Sequence, residues 1–188
     1  MHEIREQLEL LSPINDKDWK LFSEKLIKCA VSKKTSILKQ GYVENYIYFI
    51  KDGILRQYIP LEEKEITLGF GFSNTFMSGY DSFITRTPSN FTIESLTSTV
   101  LYKIHYNDLH FIYQNTSSGN EIGRHIAENL FLLKTKREYS FLQETPEKRY
   151  INLFKDRPNV IAQIPLKYIA SYIGVTPQAL SRIRKRIN

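Results

Sequence analysis

The sequence predicts an α+β protein in which an antiparallel β-roll with flanking helices precedes a long helix and a C-terminal helix-turn-helix bundle. Two observations predict this class. Residues 33–104 consist of short runs rich in Ile, Tyr, Phe and Thr, separated by turn signals, which indicates antiparallel strands. From residue 107 onward, capping residues and apolar residues at helical spacing indicate helices.

The composition is that of a folded protein without a membrane span. The chain has 188 residues, of which 41% are hydrophobic and 13% aromatic, enough to fill one good-sized core or two modest ones. No run approaches eighteen apolar residues, and the charged N-terminus lacks the apolar stretch of a signal peptide, so we expect a cytoplasmic protein that does not bind membranes.

The cysteine and histidine content argues against redox and metal chemistry. Cys29 is the only cysteine, which rules out a disulfide or a cysteine-ligated cluster within one chain, and we expect it to be a buried small hydrophobe. The four histidines are far apart and show no metal-ligand spacing. We therefore predict no metal and no cofactor.

The roll begins after two helices. Residues 3–29 have helical character, and Asn15 is a plausible cap for the second helix. The turn signal at 51–53 is the strongest hairpin signal in the chain. Asn107 is expected to cap a short helix that runs to Tyr113. The predicted strands are 46–50, 54–59, 65–70, 91–95 and 99–104.

A longer helix runs from the polar break at 115–120 to about Gln143. Gly123, Ile126, Leu130 and Leu133 follow one another in alternating steps of three and four residues, which is typical of a coiled-coil seam. We expect a homodimer through Ile126, Leu130 and Leu133. The alternative is that this stripe packs on the strands of its own chain.

The C-terminal residues predict two helices around a tight turn. Thr145 is expected to start the first helix of the bundle, and residues 159–163 could form at most a short strand. Ala170 is small where two helices approach, and Gly174 provides the turn. Thr176 caps the last helix, and Pro177 is its first residue. The predicted domains are 1–115 (roll), 116–144 (long helix) and 145–188 (helix-turn-helix).

The charge of the chain is concentrated in this last domain. Residues 145–188 hold nine of the 26 Lys and Arg but only two of the 20 Asp and Glu, a net charge of +7 beside −1 for the remainder. A cationic module attached to a neutral one is typical of phosphate binding. The alternatives are a solvated terminal helix and a membrane-binding helix, although the latter needs a broader apolar face.

The order of elements, the pattern of Phe49, Gly53, Arg56 and Tyr58, and the segment 175–183 together resemble the Crp/Fnr family of bacterial transcription regulators. The resemblance covers essentially the whole chain. It implies a cyclic-nucleotide-binding-like jelly roll as the sensory domain, dimerisation through the long helix and a winged-helix-like helix-turn-helix that binds double-stranded DNA. It also implies contact with RNA polymerase and no enzymatic activity.

The same resemblance locates an effector pocket that departs from the family pattern. The family's pocket has a Gly-Glu pair for the ribose and an Arg for the cyclic phosphate. The corresponding candidates here are Tyr80, Asp81, Arg86 and Ser89, with Asp81 in place of the Glu and Ser89 about where the Arg would be. A buried phosphate without a cationic partner is costly. We therefore expect no response to cyclic AMP and leave the effector open. The alternative is a nucleotide ligand held by Arg86, which lies three residues before Ser89 and could supply the cation if the loop is spaced differently.

The recognition helix also departs from the family pattern. Gln178 can bond adenine and Arg182 can bond guanine in the major groove. The residues assigned to phosphates are Lys167, Thr176, Ser181 and Lys185. Two other functions stay open: a cupin-like enzyme built on the roll, and an interaction protein that keeps the fold without binding DNA.

Overall fold

The computed structural model describes residues 1–187, and the chain falls into two compact units. The first unit comprises residues 1–57 and 70–130. The second comprises residues 58–69 and the chain from residue 131 onward. Across the described residues the fold is the predicted α+β class, with an eight-stranded antiparallel roll and flanking helices.

Helices α1 and α2 precede the roll, as predicted, but the second ends before Cys29. They span His2–Glu9 and Asp16–Glu24, and the Asn15 side chain caps α2 by accepting from the Asp18 N–H at 2.8 Å. The prediction of helix through residue 29 is wrong, because Ile27–Val31 forms strand β1. Cys29 is half-buried on this strand rather than buried.

The roll consists of two four-stranded sheets. Their strands follow β1 as β2 Ser36–Leu38, β3 Tyr46–Asp52, β4 Leu55–Pro60, β5 Glu65–Gly71, β6 Thr75–Met77, β7 Thr92–Ser95 and β8 Thr99–His105. One sheet has the order β1-β8-β3-β6 and the other β2-β7-β4-β5. Strands β1 and β6 are therefore the edge strands of the first sheet, and β2 and β5 are those of the second.

The helix-facing side of the first sheet forms much of the core of this unit. Phe49 packs with Ile4 and Leu8 of α1, while Ile47 and Ile104 pack with other buried residues. Residues on the opposite side of the same strands face the interior of the roll, because successive side chains alternate across a sheet. Sequence reasoning missed the three-residue strands β2 and β6, which are too short to show this alternation.

Two helices complete the roll. Helix α3 spans Tyr80–Thr85, and α4 spans Tyr106–Asn115. The predicted cap of α4 at Asn107 is wrong: the His105 side chain accepts from the Asn107 N–H at 3.2 Å, so His105 is the capping residue. The helix therefore starts two residues earlier than the sequence indicates and ends two residues later.

The long helix α5 spans Gly119–Gln143, and a buried carboxylate holds its start. Asp18, only 5% exposed, accepts hydrogen bonds from the N–H and hydroxyl groups of both Ser117 and Ser118, at 2.7 to 3.1 Å. Burial alone would raise the pKa of Asp18, but these hydrogen bonds outweigh it and lower the pKa below its ordinary value.

Four helices follow: α6 Pro146–Asp156, α7 Pro158–Gln163, α8 Leu166–Ile173 and α9 Pro177–Ile187. Thr145 caps α6 by accepting from the Lys148 N–H at 3.2 Å, as predicted. The expectation of at most a short strand over 159–163 is wrong, because this segment is α7. Pro158 at its first position has a backbone angle suited to a helix start and lacks only a donor that would be unpaired there.

Candidate nucleic-acid interface

Helix α9 is anchored by an apolar core in the second unit. Leu180 and Ile183 of α9 are buried, and so are Ile169, Ala170 and Ile173 of α8. Further residues buried in this unit come from α6, α7 and the residue after α7: Tyr150, Leu153, Val160 and Ile164. Ala170, predicted to lie where the two helices approach each other, is therefore inside, whereas Ile187 at the end of α9 is exposed.

The turn between α8 and α9 is fixed by backbone hydrogen bonds. The Val175 N–H donates to the Ala170 carbonyl at 2.9 Å, and the Gly174 N–H donates to the Ser171 carbonyl at 3.2 Å. This is the Schellman arrangement, which requires the left-handed conformation that Gly174 adopts, with φ at +79°. The Thr176 hydroxyl then accepts from the Ala179 N–H at 3.2 Å and caps α9, as predicted.

Two arginines hold the C-terminal end of α8. Arg137 donates to the Tyr172 carbonyl at 3.0 Å, and Arg149 donates to the Ile173 carbonyl at 2.9 Å. The last carbonyls of a helix lack partners within the helix and carry the negative end of its dipole, so guanidinium groups stabilise them. Both guanidiniums also lie against the Phe141 ring, at 4.7 and 4.6 Å from its centroid.

Within the second unit, Arg137 also connects α8 to residues 58–69, the outer part of the hairpin of β4 and β5. It donates to the Thr67 carbonyl at 3.2 Å and lies over the Tyr172 ring at 4.1 Å. Burial lowers its pKa below the ordinary arginine value. Beside it, the Ser171 hydroxyl donates to the Glu65 carbonyl and accepts from the Thr67 N–H, both at 2.8 Å.

All six residues predicted to contact DNA are exposed. Gln178, Ser181, Arg182 and Lys185 recur at steps of three and four along α9, so they share one helix face. Lys167 lies in the first turn of α8, and Thr176 at the start of α9. Within residues 1–187, none of the Lys and Arg side chains of α9 forms an ion pair with a carboxylate, so this face presents uncompensated positive charge.

Sequence reasoning did not assign Arg186, Arg137 or Arg149 to the site. Arg186 is exposed and lies next to the Arg182 face, and its place in the cationic run was the available signal. Arg137 and Arg149 act indirectly by positioning α8, and no local pattern in the sequence identifies a guanidinium that caps another helix.

The three residues of the predicted α5 seam differ in their burial. Ile126 packs against the core of the first unit, as the alternative interpretation of the stripe proposed. Leu130 is half-buried, and Leu133 is 59% exposed. Other large apolar side chains of α5 are also exposed, and sequence reasoning did not single them out: Phe131, Leu132, Tyr139, Phe141 and Leu142.

The four predicted pocket residues do not surround one cavity. Tyr80 lines a cavity of about 40 Å³ beneath the start of α5, whereas Asp81 is exposed on α3. The Arg86 guanidinium donates to the Glu44 carbonyl at 2.7 Å and to the Phe83 carbonyl at 3.1 Å, and lies 4.2 Å over the Tyr106 ring. Ser89 is buried and donates to the Phe91 carbonyl at 3.0 Å.

A larger cleft, of about 580 Å³, lies elsewhere in the first unit, at the edge strands β1 and β2. No group of three or more His, Cys, Asp or Glu side chains within residues 1–187 could hold a metal ion. In the same stretch, no helix combines the length and the apolar character needed to cross a membrane.

Comparisons with known proteins agree with this architecture. The sequence profile of the cyclic nucleotide-binding domain matches residues 28–116. A search of curated protein sequences finds no match.

Several solved structures share the fold over most of their length. A protein described as a transcriptional regulator of the Crp/Fnr family from Eubacterium rectale is 22% identical with a TM-score of 0.72, over 93% of this chain and 83% of that one. The c-di-GMP responsive global regulator CLP of Xanthomonas campestris is 16% identical with a TM-score of 0.69, over 92% and 91%.

FixK2 from Bradyrhizobium japonicum is 13% identical with a TM-score of 0.72, over 86% of this chain and 84% of that one. Residues 28–116 thus match the profile of the cyclic nucleotide-binding domain, and the chain as a whole shares the fold of solved Crp/Fnr family transcription regulators.

Proposed function

We propose that this protein is a homodimeric transcription regulator that binds specific double-stranded DNA sequences through α9. The observation that carries the proposal is the cationic face of α9, which lacks carboxylate partners within residues 1–187 and is held by a fixed turn. A helix presented in this way can enter the major groove, where its side chains reach base edges and its flanks reach phosphates.

The roles within the face follow from side-chain chemistry. Gln178 and Arg182 are four residues apart and both exposed, so both can reach bases from one groove, adenine for Gln178 and guanine for Arg182. Ser181, Lys185, Lys167 and the backbone at Thr176 contact phosphates, which position the helix without supplying sequence information. Pro177 has no polar side chain and reads no base.

Dimerisation proceeds through the predicted seam of α5. Leu133, on this seam, is 59% exposed, and burying it against a second copy would remove its apolar surface from water. Helix-turn-helix proteins bind two half-sites with two-fold symmetry, so a dimer doubles the contacts with DNA. We propose Leu130 and Leu133 as contacts from the predicted seam, with Ile126 at its inner margin.

The roll does not respond to cyclic AMP. Arg86 is the cation of the predicted pocket, and its guanidinium already donates to two carbonyls, with Asn45 as a further acceptor. Recruiting it to a phosphate would break these bonds. Tyr80, Asp81 and Ser89 supply no positive charge, so a cyclic phosphate would be buried without a partner there. The protein acts in the cytoplasm, contacts RNA polymerase and is not an enzyme.

The experiment measures binding of a selected operator and of random duplex DNA over a range of salt concentrations. Arg182→Ala should weaken operator binding by about 1–3 kcal/mol and leave random DNA much less affected, because it removes a base contact. Lys185→Ala should weaken binding to both DNAs alike. It should also reduce the slope of the logarithm of the binding constant against the logarithm of the salt concentration by about one. Lys155→Ala, an exposed cation at the end of α6, is the control and should change neither.

Two outcomes would contradict the proposal. If Arg182→Ala and Lys185→Ala affect operator and random DNA equally, Arg182 does not read a base. If the wild-type protein binds neither DNA in a salt-dependent way, the fold serves an interaction with another class of partner.

A further inference from the structure

A second candidate site lies in the roll, away from the residues discussed above. The cleft between the edge strands β1 and β2 has a volume of about 580 Å³, within the range of small-molecule sites. Its walls come from β1, β2, β3, β8 and the segment 39–45. None of Tyr80, Asp81, Arg86 and Ser89 lines it.

Lys103 of β8 extends into this cleft. In the register of the first sheet, Lys103 pairs with Ile27 of β1 and Tyr48 of β3, so these three side chains share the face toward the interior of the roll. The adjacent Tyr102 and Ile104 lie on the opposite face, toward the helices. An inward lysine on a central strand is unusual, because lysine is seldom enclosed without a partner.

The Lys103 ammonium has an aromatic neighbour but no carboxylate. Its Nζ lies 4.1 Å from the centroid of the Tyr46 ring. Among residues 1–187, no carboxylate oxygen is within ion-pair distance of it. A cation held on a ring, in a partly enclosed cleft, is available for an anion that arrives from solution.

The one carboxylate of the cleft is already engaged. Glu44 is 1% exposed and accepts hydrogen bonds from the Tyr46 N–H at 2.9 Å, the Gly79 N–H at 3.3 Å and the Tyr48 hydroxyl at 3.3 Å. Burial raises its pKa, which those hydrogen bonds partly offset. The remaining charged residues on the walls, Lys39 and Lys103, are both cationic, so the accessible charge of the cleft is positive.

The rest of the lining is largely apolar. Val31, Ile37, Leu38 and Leu101 contribute aliphatic surface, and Tyr42 lies on the same lining. Cationic groups on otherwise largely apolar walls match an amphipathic anion, because the apolar body gains from burial and the charged end fixes its orientation.

We propose that this cleft binds a small organic acid, with its carboxylate on the Lys103 ammonium and its apolar body between β1 and β2. This site is separate from DNA binding, and its occupancy can be tested without DNA. The aliphatic walls and the tyrosines accept both aliphatic and aromatic acids, so both belong to the test.

Cys29 supplies a direct measurement. It lies on the wall of the cleft and is the only cysteine of the chain, so alkylation by N-ethylmaleimide reports on this place alone. Burial raises the pKa of the thiol, and the nearby Lys103 ammonium partly offsets this. A bound acid should shield the thiol, so the rate of alkylation falls as the cleft fills.

The probes are octanoate, phenylacetate and indole-3-acetate, each compared with its uncharged primary amide. At about ten times its dissociation constant, an acid should slow alkylation about tenfold, because the free cleft falls to about a tenth. The amide should need at least about a tenfold higher concentration to slow alkylation as much, since it lacks the charge-assisted contact with Lys103.

Substitutions assign the effect to Lys103. Lys103→Met keeps the length of the side chain without its charge and should abolish the difference between acid and amide, whereas Lys103→Arg should retain it. Lys28→Met is the matched control: Lys28 is exposed on β1 and pairs with Tyr102, on the other face of the sheet. Rates are compared with and without probe for each variant, because Lys103 also affects the thiol, and circular dichroism checks that each variant is folded.

Three results would overturn the proposal. The first is equal protection by acid and amide, and the second is full protection by the acids in Lys103→Met. The third is no slowing of alkylation by any acid at millimolar concentration.

Discussion

Replacing Gly174 by Ala tests the turn on which the orientation of α9 depends. Gly174 has φ at +79°, and a side chain in this left-handed region costs about 1–2 kcal/mol. A Cβ built there would also lie 2.7 Å from Cε1 of Phe141, closer than such contacts allow, so the ring must move. Phe141 is 39% exposed and has room to do so.

Moving the ring weakens a second set of contacts. Arg137 and Arg149 lie 4.7 and 4.6 Å from the Phe141 centroid, and each cation–π contact contributes about 0.5–1 kcal/mol. Adding this loss to the backbone term predicts that Gly174→Ala destabilises the second unit by about 2–4 kcal/mol.

Urea denaturation with two probes checks the prediction. The only tryptophan, Trp19, lies in the first unit, so its fluorescence follows that unit, while circular dichroism at 222 nm follows the helices of both. Gly174→Ala should lower the urea concentration at the midpoint of unfolding when it is followed by dichroism, and leave the midpoint followed by fluorescence unchanged. In a Phe141→Ala background, Gly174→Ala should cost only the backbone term of about 1–2 kcal/mol.

Gly41→Ala is the matched control. Gly41 has φ at +85°, but an added Cβ would meet no atom within 4 Å, so only the backbone term of about 1–2 kcal/mol remains, seen by Trp19 fluorescence. The reasoning is refuted if Gly174→Ala costs no more than Gly41→Ala, or if its cost is the same with and without Phe141.

Two further predictions concern acid stability and assembly. The pKa of Asp18 is lower in the folded protein than in the unfolded chain, so its stabilisation is present above the unfolded value, near about 4, and is lost as pH falls through the folded value. Asp18→Asn should lower the free energy of unfolding by about 1 kcal/mol at pH 7. It should also reduce the loss of stability as the pH falls, measured by urea denaturation with Trp19 fluorescence; an unchanged loss of stability at acid pH would exclude this role. Leu133→Glu should convert the dimer to a monomer in sedimentation velocity, because it places a charge in the α5 contact, whereas Leu10→Glu, at another exposed leucine, should leave it intact. A Leu133→Glu dimer of unchanged stability would place the contact elsewhere.

The sequence predicted the elements that local chemistry determines. Thr145 and Thr176 cap their helices and Gly174 makes the turn, because each of these roles depends on one residue and its immediate neighbours. The long strands β3, β4 and β5 were predicted from their β-branched and aromatic runs. All six residues proposed to contact DNA are exposed, and for the four on α9 this follows because helical spacing alone separates the two faces of that helix.

What the sequence could not predict depends on tertiary contacts. Ile27–Val31 follows the apolar spacing of α2 closely enough to look helical, yet it pairs with β8 as an edge strand. Arg137 lies where the seam of α5 turns polar, and only the fold shows that it caps α8 and contacts residue 67. Arg86 looked available for a phosphate, but its guanidinium is engaged with carbonyls that come from a distant and a nearby part of the chain.

In-vitro selection of random duplex DNA tests the central claim most directly. The purified protein and its Arg182→Ala variant are taken through the same rounds at moderate salt, with and without the small-molecule fraction of a cell extract. We predict that the wild-type pool converges on a two-fold symmetric motif with half-sites about one helical turn apart, and that the variant pool loses one specified base per half-site. A wild-type pool that stays random under both conditions would contradict sequence-specific DNA binding.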